Sequence, residues 1–171
     1  MKFGYIVTGV RGAGDTTLSA LATRLEMRRL RLAGTVQMNT DPTDDGRCDM
    51  DVRVLGGGPV IRISQSLGVG AMGCRLNPAA LEQAVAEVAS RLDDAVDLVL
   101  INKFGKHEAE GRGFRPLIAD VLERGLPLLV AVNALNLEPF LDFSAGVAQE
   151  LSGDPQRLEV WLASGAQHAA A

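Results

Sequence analysis

Aromatic residues make up only 4% of this 171-residue chain, and histidine and cysteine occur twice each. So few rings imply a core built from Leu, Val, Ile and Ala. Cys48 and Cys74 stand far apart with no paired Cys or His spacing around them. That argues against a structural zinc site, and no metal site is assigned. The two cysteines read as reduced thiols of a cytoplasmic protein. No apolar run is long enough to span a bilayer. The start, MKFGYIVTGV, is too short for a secretory core and no cleavage pattern follows it. Basic charge is scarce too: the formal net charge is -4, the wrong sign for a protein whose main partner is nucleic acid. Arg24, Arg28, Arg29 and Arg31 cluster locally and read as the solvated face of one helix.

What the chain does have is alternation of short apolar runs with helical patterns. Tyr5–Thr8, with Phe3 before it, is a β-branched, apolar run suited to a strand buried on both faces. Leu18, Leu21, Ala22, Leu25 and Leu32 repeat at helical spacing over Thr16–Leu32, and Gly34 is expected to stop that helix. Thr35–Met38 is a second strand, followed by an acidic loop. Met50–Leu55 and Val60–Gln65 flank a Gly-Gly-Gly-Pro turn and predict an antiparallel hairpin, an insertion at about 48–66. Asn77-Pro78 starts a helix reaching about Leu92. Asp97–Ile101 and Leu128–Val132 are further buried strands, Phe114–Arg124 and Glu138–Leu151 helices, Leu158–Trp161 a short edge strand and Ser164–Ala171 a frayed tail. The expectation is one α/β domain over residues 1–171: a three-layer parallel sheet flanked by helices, of the phosphate-loop type.

In such sheets ligands lie beyond the carboxyl ends of the strands. The first such turn reads TGVRGAGDTT over Thr8–Thr17. Gly9, Gly14 and Thr16 fit the pattern G-x-x-x-x-G-K-[ST], a degenerate Walker A loop with Asp15 in place of lysine. Backbone N–H groups along Gly9, Arg11, Gly12, Ala13, Gly14, Asp15, Thr16 and Thr17 would converge on an anion, helped by the helix N-terminus. A carboxylate at Asp15 opposes this by about 1 to 4 kcal/mol at roughly 4 Å. Arg11 is placed to supply charge. The glycines do not fit a dinucleotide fingerprint.

The strand at Asp97–Ile101 leads into Asn102-Lys103, where phosphate-loop enzymes carry a magnesium-orienting Asp. Lys103 or Lys106 could reach the turn and replace the missing lysine, with Glu108 or Glu110 as base or metal ligand; a charged surface turn is the alternative. The acidic loop at Asp41 fails as a calcium loop, with Thr43 and Val52 at ligand positions.

The stretches Ile63–Ala84 and Leu100–Leu137, the latter with NKFGKHEAEGRGFR, and Cys48–Met50 resemble an uncharacterised bacterial domain-of-unknown-function family, often encoded near molybdate-transport genes. The order of elements also resembles small nucleoside triphosphatases of the cancer-related and thermophilic type. Those carry an intact loop lysine and a DEIG-like strand end, so the resemblance brings no hydrolytic activity to Asp15 or to Asn102–Gly105. The gene neighbourhood of the first family implies a role in molybdenum homeostasis.

Three readings follow. The first is a non-catalytic or weakly catalytic protein holding a nucleotide with magnesium, or an oxyanion, at Gly9–Thr17, with Asn102 and Lys103 nearby. The second is an active nucleoside triphosphatase with Lys103 as clamp and Glu108 as base. The third is an interaction module with an empty pocket. The expected partner is a small anionic ligand, not nucleic acid or membrane, with homo-oligomerisation left open.

Overall fold

The computed structural model describes residues 2–9, 13–42, 48–65 and 75–164. Seven strands form one sheet: β1 (Phe3–Thr8), β2 (Leu32–Pro42), β3 (Cys48–Val54), β4 (Val60–Arg62), β5 (Leu98–Phe104), β6 (Leu128–Asn133) and β7 (Gln149–Glu150). Their order is β4-β3-β2-β5-β6-β1-β7. The pairs β2–β5, β5–β6, β6–β1 and β1–β7 are parallel. The hairpin β3–β4 is antiparallel, as expected, and β3 also pairs antiparallel with β2, so it prolongs the main sheet at one edge.

The apolar strands have no polar face because both faces are covered. Val99 and Ile101 of β5 join one core with Leu81, Ala84 and Val88 of α2 (Pro78–Ala89) and Leu117, Ile118 and Val121 of α4 (Arg115–Glu123). Leu98 and Leu100 face the other way, onto Leu18, Leu21 and Leu25 of α1 (Ala13–Met27) and Leu158 of α6 (Pro155–Ala163). The remaining helices are α3 (Lys106–Ala109) and α5 (Leu137–Ser144). Among the described residues no helix is long and apolar enough to cross a membrane. The core is not purely aliphatic. Phe140 sits among Phe3, Tyr5 and Phe104, with ring centroids 5.9, 5.0 and 5.2 Å away, so the few aromatics concentrate at one point.

Several boundaries differ from the sequence reading. Helix α1 ends at Met27, and Arg29, at φ 63, turns the chain out of it. Leu32 keeps the helical period but is the first residue of β2. Gly34 therefore does not stop a helix; it lies inside β2. The expected helix to Leu151 stops at Ser144, where Ala145 and Gly146 take positive φ and lead to β7. The expected edge strand Leu158–Trp161 is helix α6, capped by the Asp154 carboxylate, which accepts from the N–H groups of Gln156 (2.8 Å) and Arg157 (3.0 Å). Arg24 and Arg28 are not merely solvated: both pair with the buried Glu159 and tie α1 to α6. The frayed-tail expectation falls almost wholly outside the described residues.

Gly34 has φ 99, and a Cβ there would overlap the carbonyl oxygen of Leu100 on the paired strand β5. Gly34→Ala is therefore expected to cost about 3 kcal/mol or more, through strain and separation of the two strands. Urea unfolding, or loss of soluble protein, reads it; a cost within about 0.5 kcal/mol would contradict the close approach.

Candidate functional site

The parallel register brings three strand ends together. Thr8 at the end of β1 lies opposite Asn133 at the end of β6, and Asn102 in β5 lies opposite Ala131. β1 ends at Thr8, on this edge, and α1 begins at Ala13. Val10, Arg11 and Gly12 lie outside the described residues, so the amide concavity expected there is described only at its two ends. At one end Gly9 is exposed, and a Cβ on it would meet nothing. At the other, a Cβ on Gly14 would overlap the Thr8 side chain and reach within 3.6 Å of Ala131 Cβ. Gly14 is thus set by close packing of the helix start onto two strands. Of the hydroxyls, Thr16 is exposed and Thr17 half-buried.

Asp15, at the lysine position, does not project into solvent. It is 7% exposed, and its Oδ1 accepts a hydrogen bond from Asn102 Nδ2 at 2.9 Å. Asn102 is 2% exposed, and its own Oδ1 has no hydrogen-bond partner. The bond links the first turn of α1 to β5, so the two positions where phosphate loops carry opposite charges hold each other instead. Beside it, α1 and β2 enclose an open groove of about 430 Å³ lined by Asp15, Thr16, Ser19, Thr23, Gln37 and Met38. The sequence reading missed this groove. The only trace of it is the helical spacing of Thr16, Ser19 and Thr23, hydroxyls on one stripe of a helix whose other stripe is leucine.

Strand β5 runs three residues beyond the expected Ile101, so Asn102 and Lys103 lie within it, at a register irregularity against β6. Lys103 is half-buried. The polar run that follows is an ordered unit, not a solvated turn. Glu108, 3% exposed, accepts from the backbone N–H of Gly105 through Oε2 (2.9 Å) and of Phe114 through Oε1 (3.2 Å). Arg115 donates to the carbonyls of Glu108 and Ala109, and Gly113 N–H donates to Glu82 of α2. The sequence signal was the capping-box spacing Gly105–Glu108, the last residue reaching back to the first. Lys106 stays largely exposed, while Glu110 pairs with Lys106 and Arg112. Burial pushes the Glu108 carboxyl above its ordinary value, and the two backbone donors pull it only part of the way back. A raised value suits a base, but both oxygens already hold the ends of their own loop. Among the described residues no three or more His, Cys, Asp or Glu side chains group for a metal ion. Cys74 lies outside them.

The chain belongs to the family described as "Protein of unknown function (DUF2478)", which matches residues 4–161. It is 38% identical over 147 residues to the molybdenum import ATP-binding protein ModC 2 of Bradyrhizobium diazoefficiens, covering 86% of this chain and 16% of that protein. It is 34% identical over 137 residues to the cell division protein FtsZ 1 of Methanocaldococcus jannaschii, covering 78% of this chain and 34% of that one. The chain thus spans a small part of the length of these curated relatives. Two solved structures share its fold. One is a human cancer-related nucleoside triphosphatase, with TM-score 0.62, 16% identity, and 99% of this chain and 98% of that chain covered. The other is THEP1 from the hyperthermophile Aquifex aeolicus, with TM-score 0.64, 17% identity, and 96% of each covered. The fold is therefore of the phosphate-loop nucleoside-triphosphatase type, as the order of elements implied.

The geometry at Glu108 has a measurable consequence. Glu108→Ala strands two backbone N–H groups and is expected to cost about 2 to 5 kcal/mol. The native carboxyl lies above its ordinary value, so the fold favours the protonated form. That contribution is full below the unfolded value, near 4.5, and is lost as pH rises through the native one. Wild-type stability should therefore fall over that window relative to Glu108→Gln, which cannot ionise. Urea midpoints from pH 4 upward read the difference, and parallel curves would refute it.

Proposed function

We propose that this member of the DUF2478 family is a binding protein for a small anion, a nucleotide or a tetrahedral oxyanion such as phosphate or molybdate, held at the turn between β1 and α1. In this reading it hydrolyses little or nothing. The observation that carries it is the buried hydrogen bond between Asp15 and Asn102. A phosphate loop works by placing a lysine on the β- and γ-phosphates and an aspartate beside the magnesium ion. Here the first position is a carboxylate and the second a neutral amide, and each is engaged with the other. The groups that drive hydrolysis are absent from both, and a strand end, glycines at positions 9 and 14 and a helix N-terminus support an anion as the guest.

Binding then falls to the amides of Gly9–Thr17 and the Thr16 hydroxyl, with Arg11 in the turn and Lys103 on the next strand but one as sources of positive charge. A compact oxyanion suits such a site better than a triphosphate, because fewer negative oxygens come near Asp15. The likeness to a molybdenum import ATP-binding protein supports molybdate among the oxyanions and an accessory role in molybdenum homeostasis. That protein is much longer, and its ATP binding and transport remain its own. The raised Glu108 carboxyl favours a second reading, an active triphosphatase with Glu108 as base and Lys103 as clamp. It requires Glu108 to release Gly105 or Phe114.

Calorimetry against phosphate, molybdate, ATP and GTP tests the reading. Saturable binding of at least one at millimolar concentration or below is expected, and none at such concentrations overturns it. Phosphate release from ATP with magnesium should stay near background; clear turnover lost in Lys103→Ala would favour the second reading. Exchange of the paired groups is a sharper probe. Asp15→Lys alone leaves a buried cation against an amide and should cost about 2 to 4 kcal/mol. Adding Asn102→Asp should recover most of that and tighten ATP binding about ten-fold or more, since repulsion becomes attraction. A double variant no tighter than wild type would count against the assignment of these two positions.

A further inference from the structure

Six large apolar side chains stay exposed among the described residues: Met27, Val60, Leu135, Leu141, Val147 and Val160. Topology sorts them. Leu141 and Val160 lie within the helices α5 and α6. Met27 ends α1 ahead of β2, Val60 begins β4, which runs the same way as β2, and Val147 leads into β7. Those three therefore lie toward the amino edge of the sheet. Leu135 alone of the six stands at the carboxyl edge, and at 89% it is the most exposed.

An isolated exposed leucine means little by itself. What distinguishes Leu135 is its frame. It follows Asn133 by two residues, and Asn133 pairs in register with Thr8, the last residue of β1. Neighbouring strands lie about 5 Å apart and two residues span at most about 7 Å, so Leu135 Cα is within about 12 Å of Thr8 Cα. The frame is fixed. Thr8 Oγ1 donates to the Val132 carbonyl at 3.1 Å, and Asn133 Oδ1 accepts from the Leu135 N–H at 2.9 Å. Phe140 of the following helix is buried against Phe3, Tyr5 and Phe104. Leu135 thus keeps apolar surface in water on a capped turn that cannot fold it away. With its carbonyl spent on the cap, the Asn133 amide has its two N–H donors to offer.

We infer that Leu135 is the platform for the base of a nucleoside monophosphate whose phosphate occupies the turn between β1 and α1, with the Asn133 amide donating to the base edge. The inference rests on the anion reading of that turn and narrows it. An apolar ledge within one nucleotide's reach has no use for a bare oxyanion, whereas apolar contact with a base face is an ordinary way of holding a base. A single phosphate also brings the fewest negative oxygens near Asp15.

Calorimetry of the full chain against AMP, ribose 5-phosphate and inorganic phosphate tests it. AMP should bind about ten-fold more tightly than ribose 5-phosphate, which lacks the base. Leu135→Ala should remove about five-fold or more of that advantage and leave the other two affinities within about two-fold. Its urea midpoint should match wild type, because an exposed side chain adds little to the core. Leu135→Trp sets a ring where the base would lie. It should tighten AMP about three-fold or more, and AMP but not ribose 5-phosphate should quench its added fluorescence. If AMP binds no more tightly than ribose 5-phosphate, or equally to wild type and Leu135→Ala, the base platform is overturned and the anion reading stands. A wild-type dimer that Leu135→Ala dissociates at unchanged AMP affinity would assign the leucine to a second copy and overturn the platform likewise. Binding of none of the three overturns both readings.

Discussion

The buried hydrogen bond from Asn102 to Asp15 fixes the geometry on which the rest of the site depends. A bond of this kind to a carboxylate contributes about 1.5 to 3 kcal/mol, and losing either partner costs more because the other is left buried. It ties the first turn of α1 to β5 across the face of the sheet, while Gly14 sets how closely that turn sits on β1 and β6. The helix N-terminus is thereby held at the carboxyl edge of the sheet, where the strand ends converge. The same bond engages the residue that stands at the lysine position of a phosphate loop. Position and lost charge therefore share one cause.

Glu108 repeats this logic on the other side of β5. It is a second carboxylate taken out of water, and it too is engaged inward, on the N–H groups of Gly105 and Phe114. Arg115 closes the unit by donating to two of its carbonyls and lying over the Phe143 ring. The run Asn102–Arg115 is thus shaped from within by its acid and its glycines, and Lys106 is carried on the outside of a fixed frame. In this structure the Glu108 carboxyl holds the two ends of its own loop.

Legibility followed the physics of each signal. The doubly buried strands were plain because nothing but a covered parallel sheet makes LLVAV or LVLI stable without a polar face. Of the glycine turn, the packing of Gly14 against Thr8 is a steric requirement that its position after the strand already signalled. Gly34 was misread because a glycine after a helical pattern usually marks a cap, and only the approach of Leu100 on a neighbouring strand shows why it sits in β2. Helix α6 was misread from a short apolar run, although Asp154-Pro155 carries the same start signal as Asn77-Pro78. The partner of Asp15 could not be read at all: it is 87 residues away in the chain, and nothing local to either residue announces the other. The groove was hidden for the same reason, since half of it belongs to α1 and half to β2.

Shape and charge are separable in such a fold, and this chain shows how. At 16% and 17% identity to the two solved triphosphatases the fold is still shared, with TM-scores of 0.62 and 0.64. Gly14 against Thr8 and Gly34 against Leu100 admit no side chain, so the backbone path is held wherever those glycines are. The charged positions are under no such constraint. Here a carboxylate at the lysine position is held by an amide on β5 while the backbone keeps its path. What changes is the field at the helix start. A carboxylate, bonded to an amide of β5, now stands in the first turn of α1. Packing and charge thus reside on different atoms of the same segment.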